Sequence, residues 1–509
     1  MRTKNSMINI IVSVISYAIV MIGSFVTRKI FTSVLGLEIV GIEGSFLNIV
    51  SALAIVEMGL GVGIVYTLYK PISEGNWSKI SSILNFLKKS YILISIIVFG
   101  LGVIISFFVS IPIKEDFSKI WLSGIFMLYV ADVLSSYLFS HKRAMFIADQ
   151  KNYVNNIIHI FAQISLFIFQ ILVLKIFRSF ELYLICKIIF RLSENIVISI
   201  LFDRKYKLID LKNAEELSAF EKKNFFRNIK ALLFHRIAGF SLTSTSSVLI
   251  MSFVGLRENG IYYNYMLVSN ALISVSNEFF NGIIASFGNL LSTESREKIY
   301  DNFKILYFIN FIIYSFFTVS FFNVITPFVT LWIGQNSIFP IFTVIWLSTY
   351  LYMFGIRQSI LMVKVSAGIY NPDKYFALLE AVVTFVLSFI LVQKLGVIGV
   401  LIGNIISMML IPNITQPYLV YNTVFKNNKL KNYYIKYFIY AVLTIIYTYI
   451  SFIICENINL SSSLLKLIFN FLVCLIVPNI MNFIIFYKTE EFQKTFVYFK
   501  SCLKLRKGY

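Results

Sequence analysis

In a chain of 509 residues, 58% are hydrophobic, 17% aromatic and only 14% charged, with a mean hydropathy of +0.80; a soluble globular protein carries about 25% charged residues. Apolar runs of membrane length recur from residue 7 to residue 487, which excludes a β-barrel of short alternating strands and indicates a polytopic helical membrane protein. The formal net charge of +20 sits mainly in short loops between apolar runs, the positive-inside pattern of a membrane surface rather than a nucleic-acid interface.

A spanning helix needs about twenty apolar residues. That rule places fourteen spans near 7–27, 41–68, 90–111, 120–140, 153–174, 180–202, 230–254, 260–287, 303–323, 340–363, 375–393, 397–421, 435–455 and 464–487. The segment 230–254 is rich in Ser and Thr, and 340–363 is interrupted by Gly355 and Arg357. An even number of spans puts both termini on one side. With the N-terminus inside, most of the 45 Lys and Arg fall in inner segments and few in outer loops, so both ends are expected to be cytoplasmic.

The stretch Arg28 to Pro71 leaves the first span, is expected to turn at Gly36 and Gly41, and runs through the second span to its exit. The longest inner loop, 203–229, holds Leu211, Leu217, Phe220, Phe225 and Phe226 among Lys and Glu and is expected to form a short helix on the inner membrane surface. In the tail, Glu490 and Glu491 lead, Lys504, Arg506 and Lys507 follow, and Phe492, Phe496, Phe499 and Leu503 recur three or four residues apart. That is an amphipathic interfacial helix whose charges match its dipole.

An internal repeat organises the spans. Gly36-Leu37-Glu38-Ile39-Val40-Gly41-Ile42 recurs as Gly255-Leu256-Arg257-Glu258-Asn259-Gly260-Ile261. At the same offset Phe46 meets Tyr265, Ala52-Leu53 meets Ala271-Leu272, and Gly63 meets Gly282. Six spans separate the copies, so the halves share one orientation, as in transporters built from two parallel bundles. The expected division is a six-helix bundle over 1–202, a cytoplasmic linker over 203–229, a second six-helix bundle over 230–421, two additional spans over 422–487 and an amphipathic tail over 488–509.

Ionisable residues inside membrane-length segments point to function or to a specific partner. Lys187, Arg191 and Glu194 lie at i, i+4, i+7 on one face of the sixth span, with Glu194 a partner for Arg191 or the group simply setting helix packing. Arg236 and Arg357 sit a turn or two from inner ends and either snorkel or line a cavity. Arg28 ends the first span on the outer side, where positive residues are disfavoured. Arg143 and Lys364, at inner ends, read as ordinary positive-inside residues, although Lys364 joins the cationic set Arg28, Lys187, Arg191, Arg236 and Arg357. The intramembrane acids Glu57, Asp132 and Glu278, with Glu194, carry a coupling proton or Na⁺ or neutralise the arginines. His159 reads as a packed histidine. Cys186, Cys455, Cys474 and Cys502 have no metal spacing and read as packing residues. No phosphate-cradling glycine loop, Ser/His/Asp arrangement or metal cluster is present in the sequence, and no cofactor is expected.

The stretch through Glu57-Met58-Gly59 and Leu68-Tyr69-Lys70-Pro71, then Ala148-Asp149-Gln150-Lys151 before Tyr153, Gly255-Leu256 through Gly260-Ile261-Tyr262, Asn264-Tyr265, Gly288-Asn289-Leu290 and Trp332-Ile333-Gly334, resembles the bacterial polysaccharide repeat-unit flippases (Wzx-type). These fall in the superfamily that includes multidrug and toxin extruders. The resemblance implies an all-α, MATE-like fold of two bundles plus two C-terminal helices. It implies a flippase moving a polyprenyl-diphosphate-linked oligosaccharide from the inner to the outer leaflet of the bacterial cytoplasmic membrane, with membrane lipids, a polysaccharide polymerase and glycosyltransferases as partners. Relatives often carry an acid where this chain has Ser246, which leaves ion coupling open. An ion-coupled drug exporter is the alternative within the transporters, and a glycan polymerase or ligase the alternative among membrane enzymes. Short outer loops count against the enzyme.

Overall fold

A computed structural model describes residues 2–54, 65, 67–219, 222, 245–369, 372–426, 429–458, 460 and 462–505. Among these, every regular element is a helix, as a membrane interior demands, since helices satisfy their own backbone groups. Nine helices among the described residues are long and apolar enough to cross a membrane. The chain divides into two compact units, Met1–Gly260 and Ile261–Tyr509.

The first unit begins with a helical element, Arg2–Leu53, whose only non-helical residue is Gly36 at φ 88°, ψ 169°. The two outer-loop turns anticipated there reduce to one. Gly36 turns the chain, a conformation that suits a residue without Cβ, while Gly41 lies inside the helix. Its role is close approach: a methyl group on Gly41 would overlap the carbonyl of Leu256, and one on Gly260 would overlap the carbonyl of Leu37. Gly255 takes a positive φ of 141°, as its repeat mate Gly36 does. Both glycines of each motif copy therefore have the same job, and the copies pack on each other reciprocally within this unit. Asn259, buried at the crossing, donates to the Gly41 carbonyl (2.7 Å) and to Ser45 Oγ (2.8 Å) and accepts from Ser247 Oγ (2.7 Å).

Around this lie the helices Trp77–Ser106, Lys119–Tyr137, Ser140–Ala148, Asn152–Phe177 and Phe180–Lys205. Gly23 admits the ring of Phe167 from the Asn152–Phe177 helix. Asn9 ties the first helix to that same helix, accepting from Tyr153 N–H (2.7 Å) and donating to the Gln150 carbonyl (3.1 Å).

In the inner loop, residues 206–218 are turns and bends rather than the expected surface helix; of the rest, residues 219 and 222 are helical and Lys222 N–H donates to the Ser218 carbonyl (3.0 Å). Leu211 and Leu217 turn inward against a core that includes Leu84, Phe146 and Phe202. Asp210 N–H bonds Ser81 Oγ (3.1 Å), and Glu216 joins Lys89 (2.8 Å) to Lys222 (2.9 Å). Apolar side chains spread irregularly along the loop dock on a formed core more readily than they build a helical stripe. Phe220, Phe225, Phe226 and most of 230–254 lie outside the described residues.

The second unit is organised on the long helix Arg296–Trp332, flanked by Ile341–Gly355, Leu430–Asn457, Ser463–Phe486 and Glu490–Leu505. Its buried face is aromatic: Phe311 stacks on Tyr440 at 4.1 Å, and Tyr307 on Tyr433 at 4.8 Å. The anticipated span 340–363 is two helices, Ile341–Gly355 and Gln358–Ser366, broken at Ile356–Arg357. Gly355 there leaves space for the Tyr314 ring. Helices Lys374–Leu395 and Val397–Leu410 pair tightly through Gly399 and Gly403 against Leu391 and Ser388. The tail forms the amphipathic helix Glu490–Leu505, which docks through Phe492 on Phe308 and Phe483 and through Glu491 on Lys436 (2.5 Å).

Candidate functional site

The Phe180–Lys205 helix carries the densest charge in the first unit. It begins on Ser179, whose hydroxyl caps the Leu182 N–H at 3.2 Å, and Glu181 and Arg204/Lys205 match its dipole ends. Lys187 and Arg191 project one turn apart towards Asp132 on the Lys119–Tyr137 helix. Arg191 grips the carboxylate with two bonds, Nε to Oδ1 at 2.5 Å and Nη2 to Oδ2 at 3.2 Å, while Lys187 Nζ lies 3.1 Å from Oδ2. Tyr129 lies beneath the Lys187 ammonium, 5.7 Å from it.

The pairing anticipated within the helix, Arg191 with Glu194, is not the one formed. Glu194 turns instead to Arg143 Nη2 (2.9 Å) and to His159 Nδ1 (3.2 Å). Asp132 sits on a neighbouring helix where the Arg191 guanidinium meets it with both Nε and Nη2. Arg143 and His159, read from sequence as a surface cation and a packed ring, are thus members of the charged network. The arrangement is systematic: the two carboxylates are 6% and 7% exposed, while Lys187, Arg191, Arg143 and His159 are 24–36% exposed. The Asp132 group bears one carboxylate and two cations, hence a net positive charge.

The remaining anticipated residues fall elsewhere. Arg28 is buried and donates to Glu43, with Phe31 5.3 Å from its guanidinium. Arg357 lies buried 3.6 Å from Glu380 and over Phe354, and Lys364 is buried against Asp373. Glu278 is exposed on the Leu256–Thr293 helix. Glu57 and Arg236 lie outside the described residues. The structure therefore gathers Asp132, Lys187 and Arg191, places Glu194 in a second group beside them, and gives Arg28, Arg357 and Lys364 each a buried acid of its own. Glu43, Glu380 and Asp373 escape a sequence reading because their partners are 15, 23 and 9 residues away. Only the rule that a buried cation has a partner would have prompted the search.

Among the described residues, Cys186, Cys455 and Cys474 are free thiols, and no group of three or more His, Cys, Asp or Glu side chains could hold a metal ion.

No family model matches the sequence, and no curated protein matches it. Solved structures do. A lipid II flippase, MurJ, in an inward closed conformation matches 94% of this chain and 99% of its own, with a TM-score of 0.66 at 14% identity. A multidrug resistance MATE family transporter of the MOP superfamily, inward-facing, matches 78% of this chain and 92% of its own, with a TM-score of 0.61 at 14% identity. The Vibrio cholerae MATE transporter VcmN in its bent form matches 84% of this chain and 99% of its own, with a TM-score of 0.51 at 12% identity. At such identities likeness speaks of architecture alone: the chain has the all-α, polytopic membrane fold found in MATE transporters and MurJ.

Proposed function

We propose that the protein is a flippase that carries a polyprenyl-diphosphate-linked oligosaccharide from the inner to the outer leaflet for surface polysaccharide synthesis. The observation that carries this reading is the Asp132 group, where two cations share one buried carboxylate inside the membrane-embedded part of the fold and keep their outer faces exposed. An excess positive charge at that depth is costly without an anionic ligand, and a guanidinium grips phosphate oxygens with two parallel bonds. A like-folded protein is a lipid II flippase, which supports the same class of cargo.

In this reading the chain has fourteen spans in two six-helix bundles with two added helices, both termini cytoplasmic, in a bacterial cytoplasmic membrane. Alternating exposure of the cationic surface moves the headgroup while the lipid tail stays in the bilayer. Lys187 and Arg191 contact the diphosphate. Arg236 and the acid Glu57 belong to the proposed site by sequence, and Glu278 is a proposed counter-charge or coupling acid. Glycosyltransferases would supply the cargo, and a polymerase would receive it.

Two measurements test the proposal. Cells lacking the protein accumulate the lipid-linked unit on the inner leaflet; normal outer-leaflet levels refute it. Arg191→Ala stops translocation in proteoliposomes while the protein stays folded. The MATE-like fold supports a second reading, an ion-coupled drug exporter, for which the same proteoliposomes would instead move cationic dyes against an ion gradient.

A further inference from the structure

We infer that Arg143 and His159, held over Glu194, form a second anion contact one step inward from Lys187 and Arg191, so that the proposed diphosphate site is a ladder of two rungs. This rests on the flippase reading and extends it to residues that reading did not include.

The two rungs share one design. In each, a buried carboxylate sits below and two cationic or protonatable groups cover it, with roughly a quarter to a third of each covering side chain exposed. The carboxylates attach to different helices, Asp132 to Lys119–Tyr137 and Glu194 to Phe180–Lys205, yet both rungs meet on one face of the latter. Ile185, Ile189, Ile196 and Ile200 are exposed on its opposite face, the face suited to lipid, so the rungs look away from the hydrocarbon. From Lys187 to Glu194 is seven residues, about 10 Å along the helix, so the rungs are adjacent.

Arg143 is held ready for a ligand. Its Nη2 donates to Glu194 Oε1 at 2.9 Å and to Asn195 Oδ1 at 2.8 Å. Asn195 is itself fixed by donating to the Ser135 carbonyl at 2.7 Å, and Asn155 donates to the Arg143 carbonyl at 3.3 Å. His159 Nδ1 lies 3.3 and 3.2 Å from the two Glu194 oxygens. Only one guanidinium nitrogen is thus used on the carboxylate, leaving donors of the fork for phosphate oxygens.

A third ion pair farther along the same helix shows the contrast. Lys142 donates to Ser199 Oγ and to both oxygens of Asp203, all at 2.7 Å. There the cation is buried between the Phe139 and Phe202 rings and the carboxylate is exposed. That polarity repels an anion, so the ladder ends at Arg143.

The test is binding of farnesyl diphosphate to the purified full-length protein, with thermal melting as the control for folding. Arg143→Gln weakens binding about tenfold, in line with loss of one charged hydrogen bond, and Arg143→Lys restores part of it. Glu194→Gln, which removes a neutralising charge, tightens binding. His159→Arg, which keeps Glu194 paired and adds a fixed positive charge, also tightens it. A merely structural ion pair predicts no gain in affinity from either of the last two. If folded Arg143→Gln binds like the wild type while Arg191→Gln does not bind, the second rung is wrong and the flippase reading stands. If Arg191→Gln binds normally, or the wild type does not bind the probe, the reading beneath it fails as well.

Discussion

Gly41 lies against the carbonyl of Leu256 so closely that no Cβ fits, and Gly260 lies against Leu37 in the same way. Counting 219 residues from each partner leads to the other pair. The contact is therefore reciprocal, as expected where two copies of one motif meet about a local pseudo-twofold axis. Neither neighbour can give way, because the clashing atoms are main chain. Gly41→Ala and Gly260→Ala should each lower stability by about 1–3 kcal/mol, read as a fall in the melting temperature of the purified protein. Gly124→Ala is the control, since nothing lies within 4 Å of a methyl group there. Equal melting of all three variants would remove the close approach as the reason for the motif.

Asp132 holds two cations, so its loss and theirs are not equivalent. Asp132→Asn leaves Lys187 and Arg191 without their buried counter-charge and should destabilise by about 3–5 kcal/mol. Lys187→Gln leaves an intact, bidentate Arg191–Asp132 pair and should cost less than about 1 kcal/mol. Expression and melting of the two single variants decide between this asymmetry and a simple chain of equal pairs.

Lys364 separates a structural from a binding role. Its ammonium is buried against Asp373, also buried. Lys364→Met should unfold the protein or lower its melting temperature sharply, and the double variant Lys364→Met/Asp373→Leu should recover much of the loss, since apolar replacement of a buried pair is often neutral. A Lys364→Met protein that melts normally but fails to transport would place Lys364 in the cargo site instead.

His141, just past the Lys119–Tyr137 helix, is buried, and that burial, with Lys142 and Lys88 nearby, pushes its imidazole down to about 4. The unfolded chain takes up the proton first, near the ordinary value of about 6.5. Stability is then complete above that value and falls as pH drops from about 6.5 towards 4, by on the order of 3 kcal/mol. His141→Gln should flatten this part of the melting profile. An unchanged slope would assign it to other groups.

Sequence periodicity captured the helices whose boundaries are set by apolar length, such as Leu430–Asn457 and Ser463–Phe486, and the dipole-matched tail at Glu490–Leu505. It also found the repeat, because glycines chosen for backbone reasons leave a spacing that side-chain drift does not erase. It misjudged what depends on three dimensions. The loop at 206–218 looked amphipathic, yet Leu211 and Leu217 answer to a core assembled from other helices. Lys187, Arg191 and Glu194 were legible as one helix face, but which acid each cation takes depends on neighbouring helices far away in sequence. Arg143 was indistinguishable from any basic residue at an inner helix end until Glu194 was seen beside it.

The charges of the Phe180–Lys205 helix also bear on how the protein is made. On its own, a segment with Lys187, Arg191 and Glu194 near its middle carries a cost of about 2.5–3.5 kcal/mol for each centrally placed charge when it leaves the translocon for lipid. Its principal counter-charge, Asp132, stands 59 residues before Arg191, on a helix synthesised earlier. If the Phe180–Lys205 helix spans the membrane, the earlier helix would have to stay within reach of the exit until the later one arrives, so that the two enter the bilayer as a neutralised pair. On that reading, the ion pairs that the finished protein would offer to an anion would serve first as the bond that lets a poorly hydrophobic helix enter the bilayer.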